Sequence, residues 1–283
     1  MREKEHLVPL SQEKLFAEMP RLQQELGALI VPTLGVPITP NPPGHLFPRV
    51  KQVMDAHLDT MRQHAAEVVP FIFDPKLEAI PQTRADEVTP YWGNDYFPAG
   101  DARLAYAVVA RYRPRLIVEI GSGSSTKFMR RAVVDHGTGT RIVCIDPQPR
   151  EDVRAVADEF IPAPLPAVDL SVFDALAPGD VLFMDGSHLV MNGSDCVQFF
   201  LNVVPALPPG IWVHLHDVFL PYDYPYQLFI DCKSNEQYMV ASLLLHAQDW
   251  IPVFPIYYAC MRGILPHGGG SFWMRRSPWA EPG

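Results

Sequence analysis

The sequence predicts an α/β fold in which a mostly parallel β-sheet is covered by helices on both faces. Four apolar runs of five or six residues alternate with amphipathic stretches between residues 100 and 217. Strands that are apolar along their whole length are typical of parallel sheets buried on both faces. The composition is 48% hydrophobic and only 19% charged, against ~25% charged in average soluble domains, so the chain can form a large core.

The predicted elements follow in order along the chain. The apolar runs that predict strands cover residues 115–120, 141–145, 180–184 and 211–215. Helical spacing of apolar residues predicts helices at 102–110, 126–135, 150–160, 194–207 and 236–246. Two further apolar runs, 251–260 and 270–275, can pair as an antiparallel edge of the same sheet.

Residues 1–90 are predicted to form a mostly helical extension that carries a proline-rich arm. Six prolines lie between Pro32 and Pro48, so that stretch cannot be a regular helix or a central strand. Apolar residues at helical spacing predict one helix on each side of the arm, at 11–29 and 50–69. Two roles remain open for the extension: a packing or homodimer contact, and a lid over a site.

Charge, apolar run length and cysteine spacing argue against several classes of partner and site. The chain has 23 Lys and Arg against 32 Asp and Glu, a formal net charge of −9, which argues against general nucleic-acid binding. No apolar run reaches the ~18 residues of a membrane span, and the N-terminus lacks the apolar stretch of a signal peptide. The four cysteines are widely spaced, with no CxxC pair. We therefore expect a cytoplasmic protein with reduced thiols and neither nucleic-acid nor membrane partners.

The turn after the first predicted strand, EIGSGSST at residues 119–126, is a candidate ligand site. Ligands of open parallel sheets bind at the carboxyl ends of the strands. Gly121 and Gly123 permit a tight turn and close approach of a ligand to the backbone around Ser122. The order Ser125-Thr126-Lys127 excludes a P-loop, and Thr126 occupies the third glycine position of a dinucleotide fingerprint.

Asp146 adds a second signal at the end of the second predicted strand, 25 residues after Gly121. A carboxylate at this place can accept hydrogen bonds from both hydroxyl groups of a ribose. A glycine turn and a ribose carboxylate together indicate a nucleoside-containing ligand.

With these residues, positions 115–217 resemble a class I S-adenosylmethionine (SAM)-dependent methyltransferase. Glu119, Gly121 and Gly123 match the family's first motif, with Ser125 in place of its third glycine, and Asp146 matches its ribose carboxylate. Four later motifs resemble a bacterial branch of small-molecule methyltransferases: MDGSH at 184–188, HLHDVFLPYDYP at 214–225, NEQY at 235–238 and GGGSFWMRR at 268–276.

The resemblance implies a Rossmann-like, seven-stranded sheet whose last strand is antiparallel, in a SAM-binding domain at 91–283. It implies that residues 168–173 border the adenine. It also implies a set of SAM-binding residues: Glu119, Gly121, Ser122, Gly123, Asp146 and Asp185.

Asp185, His216 and Asp217 follow neighbouring predicted strands, where some O-methyltransferases of this class hold Mg²⁺. His216 stands where a carboxylate is usual, and imidazole suits Zn, Fe or Ni better than Mg. A divalent metal held by these three residues is therefore one interpretation. In a second, His216 or His188 is a general base beside Asp217. In a third, these side chains only brace loops.

The main functional hypothesis is methyl transfer from SAM to an oxygen or nitrogen atom of a small molecule, with or without a metal. The same pocket could instead bend SAM so that the amino group of SAM attacks a carbon of its own amino-acid chain, which releases methylthioadenosine. A non-catalytic SAM-binding protein and a nicotinamide oxidoreductase are further alternatives, and Thr126 disfavours the latter.

Overall fold

The computed structural model describes residues 29–30, 37–38, 41–42, 44–225 and 234–277. The chain divides into two compact units, Met1–His45 and Leu46–Gly283. In the first unit, the two-residue strands Leu29–Ile30 and Pro37–Ile38 pair antiparallel. Almost all of the helix predicted at 11–29 lies outside the described residues.

A seven-stranded sheet forms the centre of the second unit. Its strands are β1 (Leu116–Ile120), β2 (Arg141–Ile145), β3 (Glu159–Ile161), β4 (Val181–Met184), β5 (Trp212–Leu215), β6 (Trp250–Pro255) and β7 (Phe272–Arg276). The spatial order is β3-β2-β1-β4-β5-β7-β6. Only β7 runs antiparallel to its neighbours, β5 and β6. The Rossmann-like sheet with an antiparallel last strand is thus confirmed.

Helices connect the strands and cover both faces of the sheet. They are α1 (Pro48–Ala56), α2 (Leu58–Ile72), α3 (Pro75–Glu78), α4 (Ala99–Tyr112), α5 (Ser124–His136), α6 (Asp195–Gln198), α7 (Gln237–His246) and α8 (Ile256–Met261). The chain after α6 continues as a π-helical turn (Phe199–Val203) and a 3-10 turn (Val204–Ala206). The single helix predicted at 50–69 is two helices, separated at His57.

Two apolar layers, one on each face of the sheet, hold these elements together. Leu116 and Val118 of β1 point into one layer, and Ile117 between them points into the other. Ala65 and Val68 of α2 belong to the same layer as Ile117. The helices before residue 90 are therefore part of the main core, and the division after His45 differs from the predicted boundary at residue 90.

The prediction of a helix at 150–160 is wrong. This segment forms bends and turns and then enters the strand β3, which pairs with β2. Its first turn is set by Asp152, whose Oδ1 accepts a hydrogen bond from the backbone N–H of Arg154 at 3.0 Å. Aspartate favours such local turns because its carboxylate competes with the backbone for hydrogen bonds.

The apolar run at 251–260 is also not one element. It forms β6 as far as Pro255, and α8 begins at Ile256. The antiparallel pairing predicted for the two last apolar runs is nevertheless present, between β6 and β7. No helix within the described ranges is long and apolar enough to cross a membrane.

Candidate active site

A cleft of about 720 Å³ opens at the carboxyl ends of β1, β2 and β4. Its volume lies in the range of pockets that enclose drug-sized ligands. The lining comes from five segments: residues 96–97, 120–125, 145–151, 164–167 and 185–195, except for 149, 188 and 190. The carboxyl ends of three parallel strands thus meet at one cleft, where the sequence predicts ligand binding.

The turn after β1 is tight because two glycines form it. Gly121 has a φ of +79°, and a Cβ built there would lie 1.8 Å from the backbone oxygen of Asp185. A side chain at this position would therefore separate β1 from β4. A Cβ on Gly123 would meet no atom within 4 Å, because it would project into the open cleft. A ligand can approach the backbone closely at that point.

Glu119 lies beneath this turn and does not line the cleft. It is fully buried, and its two carboxylate oxygens accept hydrogen bonds from Ser125 Oγ at 2.5 Å and Thr126 Oγ1 at 2.6 Å. Thr126 Oγ1 in turn accepts a hydrogen bond from the backbone N–H of Gly123 at 3.0 Å. Glu119 thus positions the glycine turn through hydroxyl groups, whereas the sequence predicts a direct contact with the ligand.

The buried position of Glu119 makes the stability of the protein depend on pH. Burial raises the pKa of its carboxyl group to about 7, although the hydroxyl groups of Ser125 and Thr126 favour the charged form. The folded protein therefore holds a proton that the unfolded chain releases as the pH rises from 4.5 to 7. We expect the stability of the wild type relative to Glu119→Gln to fall by about 3 kcal/mol across that range.

Urea unfolding at several pH values measures this difference. Parallel stability profiles of the two proteins between pH 4 and 8 would show that Glu119 titrates normally.

Asp146 stands at the edge of the cleft, directly after β2, and is 8% exposed. One carboxylate oxygen accepts hydrogen bonds from the backbone N–H and the hydroxyl of Ser122, at 2.8 and 3.0 Å. The other accepts from the backbone N–H of Gln148 at 2.8 Å. The carboxylate is therefore held in one orientation, joined to the glycine turn, with lone pairs left for a ligand.

The far wall of the cleft consists of residues 164–167, a Pro-Leu-Pro-Ala run. Residues 168–173, predicted to border the adenine, are not in the lining. The apolar wall thus comes from the segment just before the one that the sequence predicts.

Two histidines and two aspartates meet beside the cleft, after β4 and β5. His188 Nε2 lies 3.2 Å from Asp185 Oδ1 and 3.8 Å from Asp217 Oδ2. His216 Nδ1 lies 3.6 Å from an oxygen of each of the same two aspartates. The structure therefore brings together all four residues that the sequence predicts for catalysis or metal binding, and Asp185 lines the cleft itself.

Each histidine has a buried carboxylate at its other ring nitrogen. His188 Nδ1 pairs with Glu236, which is 1% exposed, and His216 Nε2 lies 3.4 Å from Oδ2 of Asp101, which is fully inaccessible. A carboxylate on one nitrogen orients the imidazole ring and leaves the other nitrogen directed at the site. The arrangement is two carboxylate–histidine pairs that face the same two aspartates.

The glycine-rich motif before β7 holds Asp101 in place. Backbone N–H groups of Gly270 and Ser271 donate to its carboxylate at 3.1 and 2.7 Å. A Cβ on Gly269 would lie 2.2 Å from the same carboxylate, so only glycine permits this approach. The motif therefore binds a buried carboxylate that orients His216.

The loops after β4 and β5, which carry the two histidines and two aspartates of this cluster (Asp185, His188, His216 and Asp217), both have unusual backbone conformations. His188 and Asp217 have φ values of +60° and +56°. Among the described residues only one other non-glycine residue has a positive φ, Arg113 after α4. Left-handed conformations of non-glycine residues are uncommon and concentrate at functional sites, where the surrounding structure enforces them.

The charges of the cluster stabilise one another. Although burial disfavours the charged form, the positive charge of His216 and the hydrogen bond from His188 hold the pKa of Asp185 well below its usual value. Burial would lower the pKa of His216, but Asp185, Asp101 and Asp217 raise it to about 9. Burial opposes the charge of His188 too, but Glu236 and Asp185 raise the pKa of its imidazole well above its usual value.

The predicted metal set does not fit a preformed metal centre. Across the part of the chain that the structure describes, no group of three or more His, Cys, Asp or Glu side chains is arranged to hold a metal ion. Asp185, His216 and Asp217 are instead arranged as ion pairs in which the two aspartates favour the protonated form of His216. Metal assistance stays a prediction that the geometry does not support.

Sequence reasoning missed Asp101 and the role of Glu236. Asp101 is 115 residues from His216 and lies in the first turn of α4, with no motif around it. Glu236 lies in the NEQY motif. The motif contributes to the resemblance to the family, but the sequence does not indicate what the Glu236 carboxylate does. Its pairing with His188 over 48 residues becomes visible only in the structure.

Comparison with known proteins matches this part of the chain to one family. The model of a methyltransferase domain family matches residues 118–218, which run from β1 to just past β5. None of the curated protein sequences is significantly similar to the chain.

Among solved structures, the SAH-bound methyltransferase PaMTH1 of Podospora anserina is 15% identical, with 97% of this chain and 100% of that chain covered and a TM-score of 0.43. A methyltransferase from Geobacter sulfurreducens is 15% identical, with 96% and 100% covered and a TM-score of 0.37. Human N-acetylserotonin methyltransferase in complex with SAM is 13% identical, with 81% and 70% covered and a TM-score of 0.35.

Proposed function

We propose that this chain is a class I SAM-dependent methyltransferase that methylates an oxygen or nitrogen atom of a small molecule, with His188 as the general base. The observation that carries the proposal is the position of Asp185. Its carboxylate lines the cleft and at the same time contacts both histidines. Proton-transfer groups therefore lie at one end of the cofactor cleft.

The cleft residues fit SAM. Gly121 and Gly123 leave room for the ligand beside the backbone, and Asp146 is oriented to accept the ribose hydroxyls. The apolar wall at 164–167 suits the adenine. Ribose at Asp146 and adenine at this wall leave the end near Asp185 for the sulfonium, where carboxylates favour a cation.

The acceptor would bind beside the cluster, facing its most accessible residues. The side chains of Asp185, Asp217 and His188 are 22%, 20% and 12% exposed, against 6% for His216. His188 is thus the more accessible imidazole, and Glu236 orients it in the way that a triad carboxylate orients its histidine. His216 and Asp101 support the two aspartates from the buried side.

Bound SAM supplies an electrophilic methyl group on a positively charged sulfur. Although burial opposes it, Glu236 and Asp185 raise the pKa of His188 in the free protein and so favour its protonated form. A cation placed beside Asp185 opposes that charge and lowers the pKa of the imidazole. Neutral His188 can then take the proton of the acceptor, while the cleft holds the acceptor atom and the methyl group in line.

The test is incubation of the purified protein with SAM, first alone and then with pooled hydroxyl and amine compounds. Mass spectrometry follows S-adenosylhomocysteine (SAH), methylthioadenosine and methylated acceptors. We expect SAM to stay intact alone and SAH to form in stoichiometric amounts with one methylated acceptor. Parallel reactions with EDTA and with added Mg²⁺ test metal assistance, which the proposed proton transfer does not require.

Two outcomes would contradict the proposal. Methylthioadenosine formed in proportion to enzyme would mean that SAM is itself the substrate of a cyclase or lyase. Tight SAM binding without turnover on any acceptor class would mean a non-catalytic SAM-binding protein.

A further inference from the structure

We propose that Arg150 binds the carboxylate of the amino-acid part of SAM. The inference rests on SAM as the ligand of the cleft and not on the identity of the acceptor. It assigns a role to a residue that lies outside the recognised motifs, four positions after Asp146.

The first reason is the charge of the cleft lining. Its acidic side chains are Asp146, Glu151, Asp185 and Asp195, and Arg150 is the single cationic side chain among the described residues that line it. SAM carries a carboxylate in addition to its positive groups. The four acidic side chains repel the carboxylate of SAM. Among the described residues of the cleft, only Arg150 can offer this carboxylate an opposite charge.

The second reason is that Arg150 has no acidic partner. Most arginines of the described chain pair with a carboxylate, as Arg154 does with Asp152 at 3.6 Å and Arg130 does with Asp158. Arg150 forms no ion pair with any described residue. The neighbouring Glu151 cannot serve as its partner, because its carboxylate already pairs with the buried Lys127.

The third reason is that the guanidinium of Arg150 lies over the ring of Tyr96. The guanidinium carbon of Arg150 lies 4.5 Å from the centroid of the Tyr96 ring, and both side chains line the cleft. Stacking on an aromatic face leaves the N–H groups at the guanidinium edge free for a bidentate contact with a carboxylate. Arg150 is therefore preorganised and still open to a ligand.

The segment that carries Tyr96 connects Arg150 with the reactive end of the cleft. Asn94 Oδ1 accepts hydrogen bonds from the backbone N–H groups of Tyr96 at 3.3 Å and Phe97 at 2.7 Å. The ring of Phe97 packs 5.3 Å from the ring of His216. One turn thus places Tyr96 beside Arg150 and Phe97 beside His216, and the amino-acid part of SAM would lie along it.

Calorimetry with a matched pair of ligands tests the assignment. The ligands are SAH and its decarboxylated analogue, which keeps the nucleoside, the thioether and the amino group. The variants are Arg150→Gln, Arg150→Lys and the control Arg154→Gln, an exposed arginine of the same loop that stacks on Phe160. We expect Arg150→Gln to weaken SAH about tenfold and the decarboxylated analogue less than twofold.

Arg150→Lys should lose less SAH affinity than Arg150→Gln, since it keeps the charge but not the planar fork. Arg154→Gln should change neither ligand's affinity. An equal loss for both ligands in Arg150→Gln, or no loss for either, would overturn the assignment. Failure of the wild type to bind SAH would instead contradict SAM as the ligand, so the two outcomes are distinguishable.

Discussion

Asp146→Ala is expected to weaken SAM binding about 100-fold without unfolding the protein. The carboxylate is fixed by Ser122 and Gln148 at the edge of the cleft, where it can accept both ribose hydroxyls. Hydrogen bonds to a charged group each contribute about 1.5–3 kcal/mol, so losing two of them removes about 3 kcal/mol or more. That corresponds to about two orders of magnitude in the dissociation constant.

Isothermal titration calorimetry with SAM measures the effect, and thermal unfolding checks that the variant is folded. Asp152→Ala is the matched control, because Asp152 lies on the same loop with its side chain 52% exposed and outside the cleft lining. Unchanged SAM affinity in Asp146→Ala would mean that Asp146 does not bind the ribose. Equal losses in both variants would point to a general effect of the loop.

The cofactor end of the site was predictable because its signals are local in sequence. Gly121, Gly123 and Asp146 directly follow apolar strands, and the carboxyl ends of parallel strands meet at one edge of a sheet. The same reasoning places Asp185, His216 and Asp217 together, since β4 and β5 are neighbours. A short apolar run followed by a polar residue is sufficient to predict this part of the site.

The groups that orient the site could not be predicted, because the fold and not the motif decides which groups they contact. Asp101 lies beside His216, 115 residues away in sequence, and is held there by Gly270 and Ser271, which directly precede β7. Glu119 matches the family motif, yet its hydroxyl partners sit six and seven residues later and direct it away from the cleft. A motif thus indicates the chemistry of a family but not which atoms face the ligand.

The unpaired cation of the cleft shows the same limit. Arg150 lies in a segment whose composition predicts a helix, and a helix would have directed its side chain differently. The observed turn places Arg150 opposite Tyr96. Only the folded structure shows that no described carboxylate pairs with this arginine. Charge complementarity is a property of the whole cleft, so a sequence pattern does not carry it.

His188→Asn is expected to lower kcat by about 10²–10⁴-fold while the dissociation constant for SAM changes less than threefold. That range is the usual contribution of a positioned general base. His188 lies beside the cleft but is absent from its lining, so SAM keeps its contacts with Gly121 and Asp146. Asparagine is the appropriate replacement, because His188 has a left-handed backbone that asparagine tolerates better than most residues.

The measurement is steady-state turnover of the acceptor found by the screen, together with calorimetry for SAM. His246→Gln, a change of an exposed histidine at the end of α7, is the control and should leave both quantities unchanged. His188→Asn leaves the buried carboxylate of Glu236 without its partner, which is destabilising by itself. The double variant with Glu236→Gln removes that charge, and it should restore the melting temperature but not the turnover. Turnover recovered together with stability would mean that His188 only braces the loop, and an equal loss of turnover and SAM affinity would mean that it shapes the cofactor cleft.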